Sequence, residues 1–182
     1  FHNKSRDTEA ECLNIVMITH WKFPPDVRIE LEALALRAEG HTVSVYANAE
    51  RTEEKVDSHL GIKVRYYTPK TLLGACVSTH PCFDFFFRID KPDVVHLQDT
   101  PMMIPALLQT KRLGLPFIYD AHEIWPALAC ENPAASLLRK IFLFMCYSLL
   151  ELVGSWLCHK LISVVQEQSA YFSSRYKVAR SK

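Results

Sequence analysis

LNIVMITHWKFPPDVRIELEALALRAEGHTVSVYA, residues 13–47, decides the fold class. It opens on Leu13-Asn14-Ile15-Val16-Met17-Ile18, a run with almost no polar position. A strand covered on both faces reads this way, and such strands belong to parallel sheets. A loop, Thr19 to Asp26, leads into a helix predicted from Val27 to Glu39, whose apolar residues Ile29, Leu31, Ala33, Leu34, Leu36 and Ala38 follow a helical stripe only loosely. Gly40 stands where a left-handed residue closes a helix. Thr42 to Ala47 is then a second strand, and strand, crossover helix and strand make the unit of a parallel sheet.

The pattern continues outward. Ile62 to Tyr67 alternates and reads as a third strand nearer an edge, while residues 71–88 are helical or irregular, with neither reading preferred. Asp93-Val94-Val95-His96-Leu97 is a fourth strand, and the helix after it runs from Pro101 to Leu113 and stops at Gly114. Pro116-Phe117-Ile118-Tyr119 is a fifth strand running into Asp120. A long apolar helix spans about Ala135 to His159, a sixth strand covers Lys160 to Val165, and a last helix ends near Tyr176. Six strands with helical crossovers close most simply as an α/β, doubly wound, mostly parallel, Rossmann-like sheet of order 3-2-1-4-5-6. Ligands of such sheets bind at the carboxyl ends of the strands, where the order reverses between strands one and four. Function is therefore expected just after strands one, four and five.

The 182 residues suit one domain, taken as residues 12–178, with the polar segment 1–11 read as a leader or disordered stretch. Hydrophobic residues make up 49% and charged residues 23%, which is a globular composition, and the net charge of +1 argues against a nucleic-acid binder. Six cysteines (Cys12, Cys76, Cys82, Cys130, Cys146 and Cys158) are scattered without a CxxC pair. They read as reduced, mostly buried cysteines of an intracellular protein. Cys76, His80 and Cys82 lack a fourth ligand and a zinc spacing, so no metal is expected.

After strand one, Thr19-His20-Trp21-Lys22-Phe23-Pro24-Pro25-Asp26-Val27-Arg28 contains no glycine. A dinucleotide fingerprint needs glycines for its turn and for close approach to pyrophosphate, so an NAD or FAD enzyme is disfavoured. Asp26 suits a helix N-cap; Arg28 and His20 are placed to meet a phosphate or a sugar. After strand four, Asp99 and Thr100 either cap the next helix or face a ligand, and His96, inside the strand, is either a core histidine or a contact. After strand five, Tyr119-Asp120-Ala121-His122-Glu123-Ile124-Trp125 holds three ionisable groups within four residues, flanked by aromatics. Charges are costly to bury without partners, so this cluster points to function more than to a loop ion network.

At these positions the chain resembles glycosyltransferase family 4, in the N-terminal, acceptor-side domain of its two-domain GT-B architecture. Residues Asp26 to Val43, with their Gly40-His41-Thr42-Val43 ending, resemble that domain's first helix and second strand. Pro92 to Asp99 resemble its fourth strand, Tyr119-Asp120-Ala121-His122-Glu123 its D-A-H-E motif, and Ile162 to Val165 the strand before the interdomain crossing. The resemblance implies retaining transfer of a sugar from a nucleotide-sugar co-substrate to a glycan or lipid-linked acceptor, without metal or cofactor. It implies that His122 lies by the donor sugar, that His96 and Asp99 face the interdomain cleft, and that Asp26 and Arg28 border it near the donor phosphates. Asp120 and Glu123 are expected to accept hydrogen bonds from sugar hydroxyls. The family's glycine-rich first turn is replaced here by Phe23-Pro24-Pro25-Asp26. The nucleotide-sugar domain is absent from the chain, so the isolated chain is expected to be inactive.

Ile141 to Cys158 is almost uncharged, but Glu151 and Gly154 argue against a membrane span. A packed helix is the first reading. Peripheral contact with the cytoplasmic face of a membrane, Arg139 and Lys140 meeting headgroups, is the second. Three competing functions stand beside the transferase: a non-catalytic binding subunit paired with a donor-binding chain, a metal-dependent hydrolase using His96, Asp99, Asp120 and His122, and, more distantly, a nucleotide-dependent oxidoreductase.

Overall fold

The computed structural model describes residues 11–51, 55–68 and 80–177; the expectations for residues 1–10 and for Cys76 fall outside them. Seven strands form one sheet: β1 (Asn14–Thr19), β2 (Thr42–Asn48), β3 (Ser58–His59), β4 (Ile62–Tyr67), β5 (Val94–Gln98), β6 (Phe117–Ala121) and β7 (Lys160–Ser163). Their spatial order is β3-β4-β2-β1-β5-β6-β7, and every pairing is parallel except β3 with β4. Without β3 this is the order read from the sequence. β3 is too short to show a periodicity. Its turn is made by Leu60 and Gly61, with φ of 50° and 76°. Two consecutive positive φ values are the hairpin geometry that Asn-Gly usually signals, and leucine gives no such signal.

Six α-helices lie among the described residues: α1 (Val27–Ala38), α2 (His80–Asp90), α3 (Met103–Leu113), α4 (Trp125–Glu131), α5 (Leu137–Leu157) and α6 (Gln166–Tyr176). Asp26 caps α1 as expected, accepting from the Arg28 and Ile29 amides at 3.1 and 3.5 Å. Gly114 closes α3 at φ 67°. The stretch left open between helix and irregular structure is helical where it is described, as α2. The segment after β6 holds two helices instead of the one expected. Pro126 in the first turn of α4 is a start signal the sequence reading missed.

Side-chain alternation splits the core between the two faces of the sheet. Val16 and Ile18 join Tyr46, Val95, Leu97, Phe117 and Tyr119 under α2, α3 and α6, with α5 packed against them. Ile15 and Met17 join Val43, Val45, Ile62 and Val64 under Ile29 and Ala33 of α1. Phe23 from the β1–α1 loop fills the same layer. The cysteines depart from expectation: Cys12, Cys82 and Cys130 are exposed, Cys146 is half-buried and only Cys158 is buried, all with free thiols. Cys12 precedes β1 and Cys82 and Cys130 sit on outward faces of short helices, positions the core does not reach.

Candidate active site at the carboxyl end of the sheet

Register builds the site. Thr19 pairs with Gln98, Gln98 with Asp120 and Asp120 with Ile162, so one row crosses the sheet at its carboxyl edge. Val94 packs into the α1 layer, so His96 and Gln98, at even spacing along β5, face α1 too. Glu32, on that helix, reaches both. His96 Nδ1 lies 3.3 Å from its carboxylate, and Gln98 Nε2 donates to it at 2.7 Å. Asp120 comes from the neighbouring strand, with Oδ2 3.5 Å from His96 Nε2 and 3.0 Å from His122 Nε2. Gln98 Oε1 is a second acceptor for His122 Nε2, at 2.9 Å.

Two acceptors on Nε2 fix the proton of a neutral His122 there. Nδ1 is left with a lone pair, and none of the described residues hydrogen-bonds to it. The side chain keeps 13% of its surface exposed. The Asp120 hydrogen bond raises the His122 imidazole above its ordinary value, against the opposing effect of burial. Burial works to raise the Asp120 carboxyl, but hydrogen bonds from His122 and His96 outweigh it and hold Asp120 below the usual range. Asp120 Oδ1 is buried and has no hydrogen-bond partner among the described residues.

Around His122 stand the other charged groups. Asp99 takes φ 81° and ψ 152°, a region favourable only to glycine, and holds it at a cost of about 1–3 kcal/mol. Its side chain does not cap the helical turn that follows, which removes the capping reading; instead Trp125 Nε1 donates to it weakly, at 3.5 Å. Burial pushes the Asp99 carboxyl up, while His122, Trp125 and Arg28 pull it back. Burial lowers the Arg28 guanidinium, but the Asp26 hydrogen bond and the charges of Asp26, Asp99 and Glu123 raise it further. Asp99 thus feels His122, Arg28 and Glu123, and Arg28 acts on His122 as well, at one place on the carboxyl end of the sheet, its mouth.

With this geometry in view, similarity to known proteins becomes informative. The family model for Glycosyltransferase Family 4 matches residues 27–182, most of the chain. The chain belongs to glycosyltransferase family 4. No curated protein matches it. Among solved structures, the sucrose-phosphate synthase of Thermosynechococcus elongatus superposes with a TM-score of 0.69 at 11% identity, over 91% of this chain and 45% of that one. Anabaena HepE, in complex with UDP and glucose, gives 0.59 at 13% identity, over 91% and 43%. A Listeria monocytogenes protein described as a UDP-N-acetylglucosamine 2-epimerase gives 0.59 at 15%, over 92% and 43%. Identities this low establish the Rossmann-like fold alone. The chain spans less than half the length of each of these proteins.

In this family 4 domain His20, one of the residues singled out from sequence, packs edge-on against Trp21 and Trp125, and seven others divide in two. His96, Asp120 and His122 make one hydrogen-bonded group; Asp26, Arg28, Asp99 and Glu123 surround it as charges. Sequence reasoning missed Glu32 and Gln98, which complete the group. Glu32 lies one helical turn beyond Arg28 and Gln98 shares the register row of Asp120, and both relations depend on the pairing. It also missed what holds the His122–Trp125 segment. Gln168 on α6 donates to the His122 carbonyl at 2.6 Å and accepts from Val164 N at 3.1 Å. Glu151 on α5 accepts from Trp125 N at 3.0 Å and from the hydroxyls of Tyr171 and Tyr176 at 3.1 and 3.0 Å. For a metal, Asp99 and His122 of the hydrolase reading are not in the group of candidate ligands found among the described residues. Glu32, His96 and Asp120 instead offer ligand atoms within 4.8 Å of one another.

Proposed function

We propose that this chain is the acceptor-side half of a retaining, metal-independent hexosyltransferase. It would move a sugar from a nucleotide-sugar to a glycan or lipid-linked acceptor, with no cofactor. The observation that carries the reading is His122: its ring is fixed through Nε2 by Asp120 and Gln98, with Nδ1 unbonded to any described residue and the charges of Asp99 and Arg28 acting on the ring. An imidazole so held accepts a hydrogen bond from a sugar hydroxyl when neutral and donates one when protonated. Asp99 and Glu123 accept from further hydroxyls, and Arg28 at the α1 N-terminus meets donor phosphate. The departing diphosphate needs cationic donors. The mouth supplies one arginine against several carboxylates, so a second, nucleotide-binding domain is required and the chain alone is inactive. We further place the protein at the cytoplasmic face of a membrane, in contact through residues 141–158.

Two measurements test this. The isolated chain incubated with nucleotide-sugars and acceptors should release no diphosphate above the uncatalysed rate, and activity should appear when the donor-binding half is supplied. The anomeric configuration of the product, read by proton NMR, should match that of the donor. Rapid transfer by the chain alone, or an inverted product, overturns the reading; binding without turnover in the joined protein favours the non-catalytic subunit.

A further inference from the structure

The outer face of α5 leaves large apolar side chains in water. Leu138, Phe142, Met145, Leu149, Leu152 and Trp156 follow one another at spacings of four and three along one side of the helix. Leu138 is 81% exposed, Phe142 50%, Met145 64%, Leu149 59% and Trp156 62%. The opposite side, Tyr147, Glu151 and Gly154, is buried against the domain. At the C-terminal end Leu152, Val153, Trp156 and Leu157 line a shallow, open apolar depression. No described helix is long and apolar enough to cross a membrane.

Three occupants fit such a stripe: the protein's other half, a second copy, or a lipid surface. The path of α5 argues against the first. It starts after β6 and ends where the parallel β7 begins, so it runs from the carboxyl end of the sheet down its flank, about 30 Å at 1.5 Å per residue. A domain sitting over the mouth reaches only the first turns. Charge argues against the second. Arg139 and Lys140 stand at one end, and Lys177 at the other follows Tyr176, whose carbonyl accepts from Trp156 Nε1 at 2.9 Å. Arg175 lies along the side, its guanidinium 5.4 Å from the Phe144 ring centre and bonded to Ser148. The one carboxylate of α5, Glu151, is buried. Two copies paired along this stripe set cation against cation.

We propose that the outer face of α5 lies on an anionic lipid bilayer, its apolar stripe among the acyl chains and Arg139, Arg175 and Lys177 at the headgroups. This rests on the membrane reading above and supplies its residues and lipid charge. The arrangement holds the mouth at the membrane surface, where a lipid-linked acceptor would present its sugar.

Co-sedimentation of the chain with vesicles tests it. Vesicles with one-third phosphatidylglycerol should bind at least tenfold more tightly than pure phosphatidylcholine, with the difference shrinking as salt rises. Met145→Ser with Leu149→Ser, both exposed, should weaken binding at least tenfold with an unchanged circular dichroism spectrum. Arg139→Glu with Lys177→Glu should remove the preference for phosphatidylglycerol. Absence of binding, equal binding to both vesicles, or insensitivity to the serine pair overturns the proposal. So does a dimer in sedimentation equilibrium that the serine pair dissociates while vesicles stay unbound. His122→Ala should bind vesicles like the parent, so failure of the sugar-transfer reading and failure of this one show separately.

Discussion

The mouth above β5 and β6 and the flank along α5 violate ordinary burial in opposite directions. The first takes Asp120, His96 and Asp99 almost wholly out of water; the second leaves Leu138, Met145, Leu149 and Trp156 more than half in it. Each arrangement is costly for a folded chain in isolation, and neither is needed to close the sheet. What separates them is bonding. The buried groups at the mouth are held by one another, by Gln98 and by Glu32, whereas on the flank Leu138, Met145 and Leu149 keep most of their hydrocarbon exposed. The mouth is a preorganised polar site. The flank is a surface whose contact has yet to form.

Substitutions should separate the two regions by size of effect. Asp120→Ala removes the partner of two histidines and should destabilise the chain by about 3 kcal/mol or more in urea unfolding. A loss below about 1 kcal/mol would mean the network is not the rigid unit described.

Glu151 ties the two regions together, since it sits on α5 and holds Trp125 beside Asp99. Burial pushes its carboxyl up from 4.5 to about 7, with Tyr176, Tyr171 and the Trp125 amide pulling the other way. Its folded pKa is raised, so its stabilisation is complete below about 4.5 and is lost as pH rises through about 7. The loss should reach at most about 3 kcal/mol. Unfolding measured between pH 4.5 and 8 should lose most of this slope in Glu151→Gln; an unchanged slope would assign it elsewhere.

Gln168→Ala frees the His122 carbonyl at a cost of about 1 kcal/mol. With its backbone released, His122 should pull away from Asp120, and its imidazole pKa, followed by NMR, should fall toward the ordinary value. The smallest effect belongs to the flank. Met145→Ser with Leu149→Ser should change stability by no more than about 0.5 kcal/mol. A larger loss would show that the stripe is packed, and the contrast with the mouth would disappear.

Much of the fold was legible because parallel strands covered on both faces read as apolar runs, and helix stops at Gly40 and Gly114 punctuate them. β3 and α4 were not, one being two residues long and the other hidden behind a single proline signal. At the mouth, Asp120, His122 and Glu123 announced themselves by charge density at a strand end. Glu32, Gln98, Gln168 and Glu151 did not, because each enters through register or through a helix far along the chain. The α5 segment was visibly apolar, but which side faced outward depended on where Tyr147 and Glu151 docked.

The central claim is that His122, oriented by Asp120 and Gln98, attends the sugar being transferred. The direct measurement is kcat for sugar transfer by the chain supplied with the nucleotide-binding domain that the proposed function calls for, compared with the same assembly carrying His122→Ala. The account predicts a fall in kcat of about a hundredfold or more with the melting temperature nearly unchanged. Equal kcat values in the two proteins would contradict it.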